Sequence, residues 1–192
     1  MTLCGVGWRA GGRSILEGVD LTLFRGERLL LLGDNGCGKT SLLRLMARLA
    51  RPTAGEIRQF IDPALGQRRG SRAWFRRVGM VYQNPNCQLF MPTVAQEVAF
   101  AAKSEDFARE VMELFGIVHL SERHPHSLSE GQKRRVSIAA VAASQPELLL
   151  LDEPTVGQDG EGLRTLLHAL NLLHTRTGST IVTVTHDRRC AS

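Results

Sequence analysis

Residues 28–40 read RLLLLGDNGCGKT, and this stretch decides the fold. Residues 28–32 form a continuous apolar run of the kind that marks a strand buried on both faces. Gly33-Asp34-Asn35-Gly36-Cys37-Gly38-Lys39-Thr40 follows at once with the spacing G-x-x-x-x-G-K-[ST]. Leu42, Leu43, Leu45, Met46 and Leu49 then recur at helical spacing, so the glycines lie between a strand and a helix. Glycine lets the backbone curl until successive N–H groups point at phosphate oxygens, and the helix N-terminus adds a favourable dipole. The ammonium of Lys39 would reach the β and γ phosphates, and the hydroxyl of Thr40 would ligate Mg²⁺. Lys39, Lys103 and Lys133 are the only lysines among 24 basic residues, and a point-charge phosphate ligand is what this position requires.

Outward from the loop, residues 19–24 (VDLTLF) alternate as a strand before the turn at Arg25-Gly26, and a further strand is expected at 56–61. After a short strand at 78–82, Asn84-Pro85-Asn86 breaks the pattern and helical periodicity takes over. Thr93 with Gln96 forms a capping box for a helix through about Lys103. Ser104 caps a second helix ending near Gly116, and a third runs from Ser129 to before Pro146. The α/β pattern returns with LLLL at 148–151, a helix from about Gly160 to Arg176, and TIVTVT at 180–185. The helical middle, about 87–145, reads as inserted into a parallel α/β core, within a single domain over 1–192.

Composition supports that frame. The 192 residues are 43% hydrophobic and 22% charged, which excludes disorder, collagen and low-complexity arrays. No apolar run reaches the roughly 18 residues of a membrane span, and the N-terminus does not read as a signal peptide, so a cytosolic chain is expected. Cys4, Cys37, Cys87 and Cys190 lie far apart and read as free thiols. The net charge of +5 suits nucleic acid, anionic lipid or docking on a membrane partner, and alone decides nothing. Arg68, Arg69, Arg72, Arg76 and Arg77 around Trp74-Phe75 read as a solvated helix face, as does Lys133-Arg134-Arg135; His119, His124 and His126 read as surface histidines.

Two further segments carry chemistry. Asp152-Glu153-Pro154 puts adjacent carboxylates just beyond a strand's carboxyl end, where open α/β sheets bind ligands. Asp152 would hold Mg²⁺ through water, and Glu153 would orient or deprotonate an attacking water. In Leu128-Ser129-Glu130-Gly131-Gln132, Ser129 and Gln132 make a capping box at an exposed helix N-terminus. That end can bind phosphate, but Lys39 cradles only one nucleotide, so it would face a nucleotide held by another copy in a head-to-tail dimer.

In order and spacing the chain resembles an ATP-binding cassette (ABC) ATPase subunit over about residues 2–187. The resemblance implies a P-loop NTPase fold: a RecA-like parallel sheet, an N-terminal antiparallel β portion and an inserted helical subdomain. It also implies ATP with Mg²⁺ and the following site residues. Gly33, Asn35, Gly36, Cys37, Gly38, Lys39, Thr40 and Ser41 form the phosphate loop, and Trp8 stacks on adenine. Gln83 senses Mg²⁺ and water, Ser129, Gly131 and Gln132 clasp the partner's ATP, Asp152 and Glu153 end the second nucleotide-binding strand, Asp159 belongs to the loop after it, and His186 contacts the γ phosphate.

The stretch 83–90 (QNPNCQLF), with Pro92-Thr93-Val94 and Glu97 to Phe100, is similar to ATPases of energy-coupling-factor importers for cobalt, nickel, biotin and other vitamins. That narrower resemblance implies a second ATPase subunit, identical or paralogous, and a transmembrane subunit whose coupling helices dock near Leu89-Phe90-Met91, at the cytoplasmic face of the cell membrane, with no nucleic acid. Leu89 to Met91 either form that docking surface or pack under the helices. Glu130 stands where glycine is usual and is expected to point outward, and Cys37 stands where serine is common. Only six residues follow His186, which implies a shortened C-terminus and a loosely held His186. A soluble ABC ATPase acting on nucleic acid or ribosomes, and a degenerate regulatory cassette, are the competing readings.

Overall fold

The four leucines Leu148–Leu151 stand in a row because their strand has no solvent face. They lie on β6 (Leu148–Asp152), in a parallel sheet with β3 (Arg28–Leu32), β5 (Val78–Val81) and β7 (Thr180–Thr185), ordered β3-β7-β6-β5. Successive side chains alternate between faces. Leu149 and Leu151 therefore enter one core with Val81 and Ile181, while Leu148 and Leu150 enter a second with Met80, Val182 and Val184. The computed structural model describes residues 1–58, 74 and 77–187.

The second core is closed by α1 (Lys39–Met46), which contributes Leu42, Leu43, Leu45 and Met46, and by an antiparallel sheet. That sheet comprises β1 (Thr2–Ala10), β2 (Arg13–Thr22) and β4 (Ala54–Arg58) in the order β2-β1-β4. The strand expected at 56–61 starts earlier, at Ala54, and residues 59–61 lie outside the described residues.

The first core is closed by α2 (Val94–Ala99), α3 (Glu105–Leu114), α4 (Glu130–Ala143) and α5 (Gly160–Thr177). Thr93 Oγ1 accepts the Gln96 N–H at 3.2 Å and Ser104 Oγ the Phe107 N–H at 3.2 Å, so both helices start where their caps predict. The first stops at Ala99 rather than near Lys103. No helix among the described residues is long and apolar enough to cross a membrane.

Three expectations are corrected. Among the described residues β3 lies at the sheet edge and is not buried on both faces: Leu29 and Leu31 pack on the second core, whereas Leu32 is 46% exposed. Its other side opens on a cleft of about 390 Å³ lined by Leu30, Pro154, Leu166 and Leu170, among others. Trp74 does not share a solvated face, because its indole is buried in the second core with the Arg48 guanidinium 5.8 Å over the ring. Arg77 forms a two-point pair with Glu147 at 2.5 and 2.6 Å, and Arg68, Arg69, Arg72, Phe75 and Arg76 lie outside the described residues. Arg134 is no surface cation. At 4% exposure it lies inside α4's packed side, donating to the Tyr82 carbonyl at 3.1 Å. Burial pulls its pKa down, because leaving water penalises the charged form.

Candidate nucleotide site at the carboxyl ends of the strands

Parallel register brings the motifs to one edge of the sheet. Leu32 pairs with Thr185, Asp152 with Val184, and Val81 with Leu151, so Gly33, Glu153, His186 and the Tyr82-Gln83 turn leave the sheet side by side. A larger cleft, about 560 Å³, opens at the opposite ends, beside Arg25, Glu147, Gly178 and Thr180. Four of its charged residues pair with one another, Arg25 with Glu147 at 3.5 Å and Arg176 with Glu110, and it lies away from the edge where open α/β sheets bind ligands.

Residues 33–38 curl into the start of α1, whose N-cap, Gly38, has φ of +98°. A Cβ there would lie 2.7 Å from Leu16 Cδ2 and 3.0 Å from the Ile15 carbonyl oxygen, so the loop sits hard against β2. Leu16 pairs with Trp8 on β1, which places that half-buried indole one strand from the loop. Gly38→Ala is therefore expected to cost about 1–3 kcal/mol of stability, read as a lower urea midpoint at unchanged slope. Cys37 is exposed, as are Asn35 and Gly36; Ser41 is half-buried.

The Lys39 ammonium donates to the Gly33 carbonyl at 2.7 Å and the Asp34 carbonyl at 2.9 Å, and lies 3.6 Å from Glu153 Oε1. Thr40 Oγ1 donates to Asp152 Oδ1 at 3.1 Å. Burial pushes the Asp152 carboxyl up, an effect that the Thr40 hydrogen bond opposes and Glu153 beside it reinforces. A desolvated carboxylate beside a hydroxyl is a hard-oxygen donor pair, and it fits Mg²⁺.

Glu153 holds the centre. Its backbone takes the left-handed region at φ +50°, rare for a residue with a side chain, and its N–H donates to the Val184 carbonyl at 2.9 Å. Oε2 accepts from Thr185 Oγ1 at 2.9 Å and from the His186 N–H at 3.3 Å, with His186 Nδ1 at 3.0 Å. Burial alone would raise this carboxyl, but the hydrogen bonds from His186 and Thr185 outweigh it and hold it below the usual range. His186 is thus tied to Glu153 on its ring and its backbone, contrary to the expected loose attachment, although half its side chain is exposed.

Gln83 is exposed just past β5. The signature segment meets a different partner. Ser129 Oγ accepts the Gln132 N–H at 3.3 Å while the Gln132 side chain accepts the Ser129 N–H at 3.1 Å, completing the capping box. Gln158 donates to the Gly131 carbonyl at 2.8 Å, and a Cβ on Gly131 would lie 2.6 Å from the Gly157 carbonyl oxygen, so only glycine allows this approach. Asp159 next to it caps α5, accepting the Gly162 N–H at 2.6 Å. Glu130 points outward as expected, 63% exposed and 2.9 Å from Lys133, whose hydrogen bond lowers its pKa.

Leu89, Phe90 and Met91 divide between their two readings. Leu89 is buried in the first core, whereas Phe90 is 66% exposed and meets the equally exposed Phe100 edge to face, ring centroids 5.8 Å apart. Buried Glu97 holds this loop by accepting the Phe90 and Met91 N–H groups at 2.8 and 2.7 Å. His126 Nε2 contacts the Leu89 carbonyl at 3.1 Å, and His119, His124 and His126 are all exposed. Sequence reasoning missed the contacts of Thr185, Arg134 and Gln158, and it noted Glu97 without its role in holding the loop. Only Thr185 carried a signal: it ends a strand whose neighbours end in motif residues.

The sequence profile of the ABC transporter family matches residues 16–156. The energy-coupling factor transporter ATP-binding protein EcfA of Methanoculleus marisnigri is 39% identical over 179 residues, covering 89% of this chain; the chain spans 64% of that relative's length. Among solved structures, cbiO1 of Clostridium perfringens, part of the ABC transporter complex cbiONQ, superposes with a TM-score of 0.81 at 33% identity, covering 97% of this chain and 78% of that one. The ATP-binding cassette MJ0796, a dimer in a post-hydrolysis state bound to ADP and Pi, superposes at 0.79 with 26% identity, covering 99% and 89%. Sequence and backbone lead to the same assignment, and the chain belongs to the ABC transporter family.

Proposed function

We propose that this chain binds and hydrolyses ATP as the motor subunit of an importer of the energy-coupling-factor type, carrying a metal ion or vitamin. The observation that carries the reading is the convergence of Lys39, Thr40, Asp152, Glu153 and His186 at one sheet edge through direct contacts. Loop amides and Lys39 hold the β and γ phosphates, and Trp8 stacks on adenine. Thr40, Asp152 and Gln83 would hold Mg²⁺, which when bound neutralises phosphate charge. Glu153 takes the proton of the attacking water. Its basicity is restrained while His186 bonds Oε2, so release of His186 toward the γ phosphate frees the carboxylate as the site fills.

Ser129, Gly131 and Gln132 face the nucleotide of a second cassette, identical or paralogous, in a head-to-tail dimer; Asp159 lies in the adjoining loop. The names of its relatives, an energy-coupling factor transporter ATP-binding protein and part of an ABC transporter complex, support the transport reading, and as an importer motor the chain would sit at the cytoplasmic face of the cell membrane. Phe90 and Phe100 supply an apolar docking point for a transmembrane subunit. Phe90→Asp is expected to weaken co-purification with that subunit about 30-fold, as for an aromatic hot spot, and to leave the isolated chain's ATP turnover within about twofold. The function itself is tested by Mg·ATP hydrolysis of the purified chain, alone and with its detergent-solubilised membrane subunit, against Lys39→Ala. Turnover above that blank supports the motor; nucleotide binding without turnover in either state supports a regulatory cassette.

A further inference from the structure

We propose that Thr185 is a positioning residue that anchors one oxygen of Glu153 so that the other faces the phosphate loop; this rests on the reading of Glu153 as the base. A threonine hydroxyl has one proton to give and two lone pairs to fill. Thr185 Oγ1 gives its proton to Glu153 Oε2 at 2.9 Å. It accepts the Asp187 N–H at 3.0 Å, and Thr155 Oγ1, 3.3 Å away, supplies the remaining proton. All three valences are used, and both threonine side chains are buried.

Register explains why this is a fixed point. Thr185 ends β7 and pairs with Leu32 of β3, while the residue before it, Val184, pairs with Asp152 of β6, so its backbone is held at the end of a strand with neighbours on both sides. Thr155 lies in the turn after Pro154, and its hydroxyl braces that of Thr185 from behind. Glu153 is thus tied to β7 twice, by its N–H to the Val184 carbonyl and by Oε2 to Thr185. Oε1 is left toward Lys39, 3.6 Å off, where a phosphate would arrive. The two side-chain partners of Oε2 differ in permanence. His186 is half exposed and has a second duty at the nucleotide, whereas Thr185 is buried and has none. When His186 leaves, Thr185 remains, and the carboxylate keeps its aim while losing one donor. Without the hydroxyl, Oε2 would keep only the longer 3.3 Å bond from the His186 N–H once the ring has left, a weaker hold on the carboxylate; misplacement by about 1 Å is enough to cost about 100-fold in rate.

The test compares Thr185→Val, which keeps the shape and removes the hydroxyl, with Thr185→Ser, which keeps the hydroxyl. Thr185→Val is expected to lower kcat for ATP about 10- to 100-fold with KM within about twofold, and Thr185→Ser to restore kcat to within about threefold of wild type. A kcat unchanged in Thr185→Val, an equal fall in both variants, or a loss confined to KM overturns the proposal. If Thr185→Val does not fold, Thr155→Val removes the bracing hydroxyl and is expected to lower kcat about 3- to 10-fold, again with KM unchanged; wild-type kcat in it overturns the proposal. A crystal structure of the soluble variant without nucleotide gives a readout independent of turnover. The Glu153 carboxylate is expected to have moved or split between rotamers, and an unmoved carboxylate overturns the proposal. Absence of hydrolysis by the wild type would defeat the motor reading alone, and the carboxylate position would still decide the role of Thr185.

Discussion

Glu153→Gln is expected to lower kcat for ATP about 1,000-fold while nucleotide still binds. The substitution keeps volume and backbone and leaves an amide oxygen to accept from Thr185, so the φ of +50° and the bond to Val184 can persist. What disappears is a carboxylate whose Oε1 lies 3.6 Å from Lys39 and whose Oε2 is bonded to His186. An amide cannot take a proton from water, and it also removes a negative charge from beside an incoming triphosphate. Binding is therefore retained or tightened while the chemical step stalls, and an ATP-bound dimer accumulates. Size-exclusion chromatography with light scattering under saturating Mg·ATP reads this directly. A variant still monomeric there would sink the sandwich of two cassettes, and turnover within about tenfold of wild type would remove Glu153 from the chemistry.

Lys39→Ala should fail one step earlier, at binding. The ammonium already has its donors engaged with the Gly33 and Asp34 carbonyls and lies beside Glu153, occupying the place of a cation that waits for an anion. A triphosphate would replace neutral carbonyl partners with charged oxygens. Two charge-assisted hydrogen bonds at about 1.5–3 kcal/mol each predict an affinity loss of about 100- to 10,000-fold. Lys39→Arg is expected to bind poorly as well, because a planar fork cannot take the place of a compact point charge within so tight a loop. Titration with a fluorescent ATP analogue checks both, with circular dichroism to show that the fold persists. A Kd within about threefold of wild type would mean that the loop amides alone hold the nucleotide.

Much of the site was legible because its chemistry is local. The loop proposed to hold phosphate is a run of eight residues whose glycines, lysine and threonine would act through their own backbone and one helix end, so spacing suffices to find it. The Ser129–Gln132 capping box is equally local, spanning one helical turn, and it forms with both of its hydrogen bonds. Strand β6 was readable because burial on both faces leaves four leucines in a row, and β7 because its β-branched residues match strand geometry. β3 looks the same in sequence and lies at the sheet edge among the described residues, since an apolar run reports the need for cover and says nothing of how many neighbours provide it.

Sequence by itself thus determined the parallel α/β core, the glycine-rich loop between strand and helix, the carboxylate pair at a strand end and the capped start of α4, all set by backbone periodicity and by residues within a turn of one another. Tertiary structure alone decided that Arg134 and Trp74 are buried, that Phe90 is exposed while its neighbour Leu89 is not, and that Gln158 joins Gly131. It also decided that Thr185 and His186 close on Glu153 from 32 and 33 residues away. The physical reason is register: hydrogen bonding between β6 and β7 sets which residue of one strand lies beside which of the other, and a shift by one would turn Thr185 to the opposite face of the sheet.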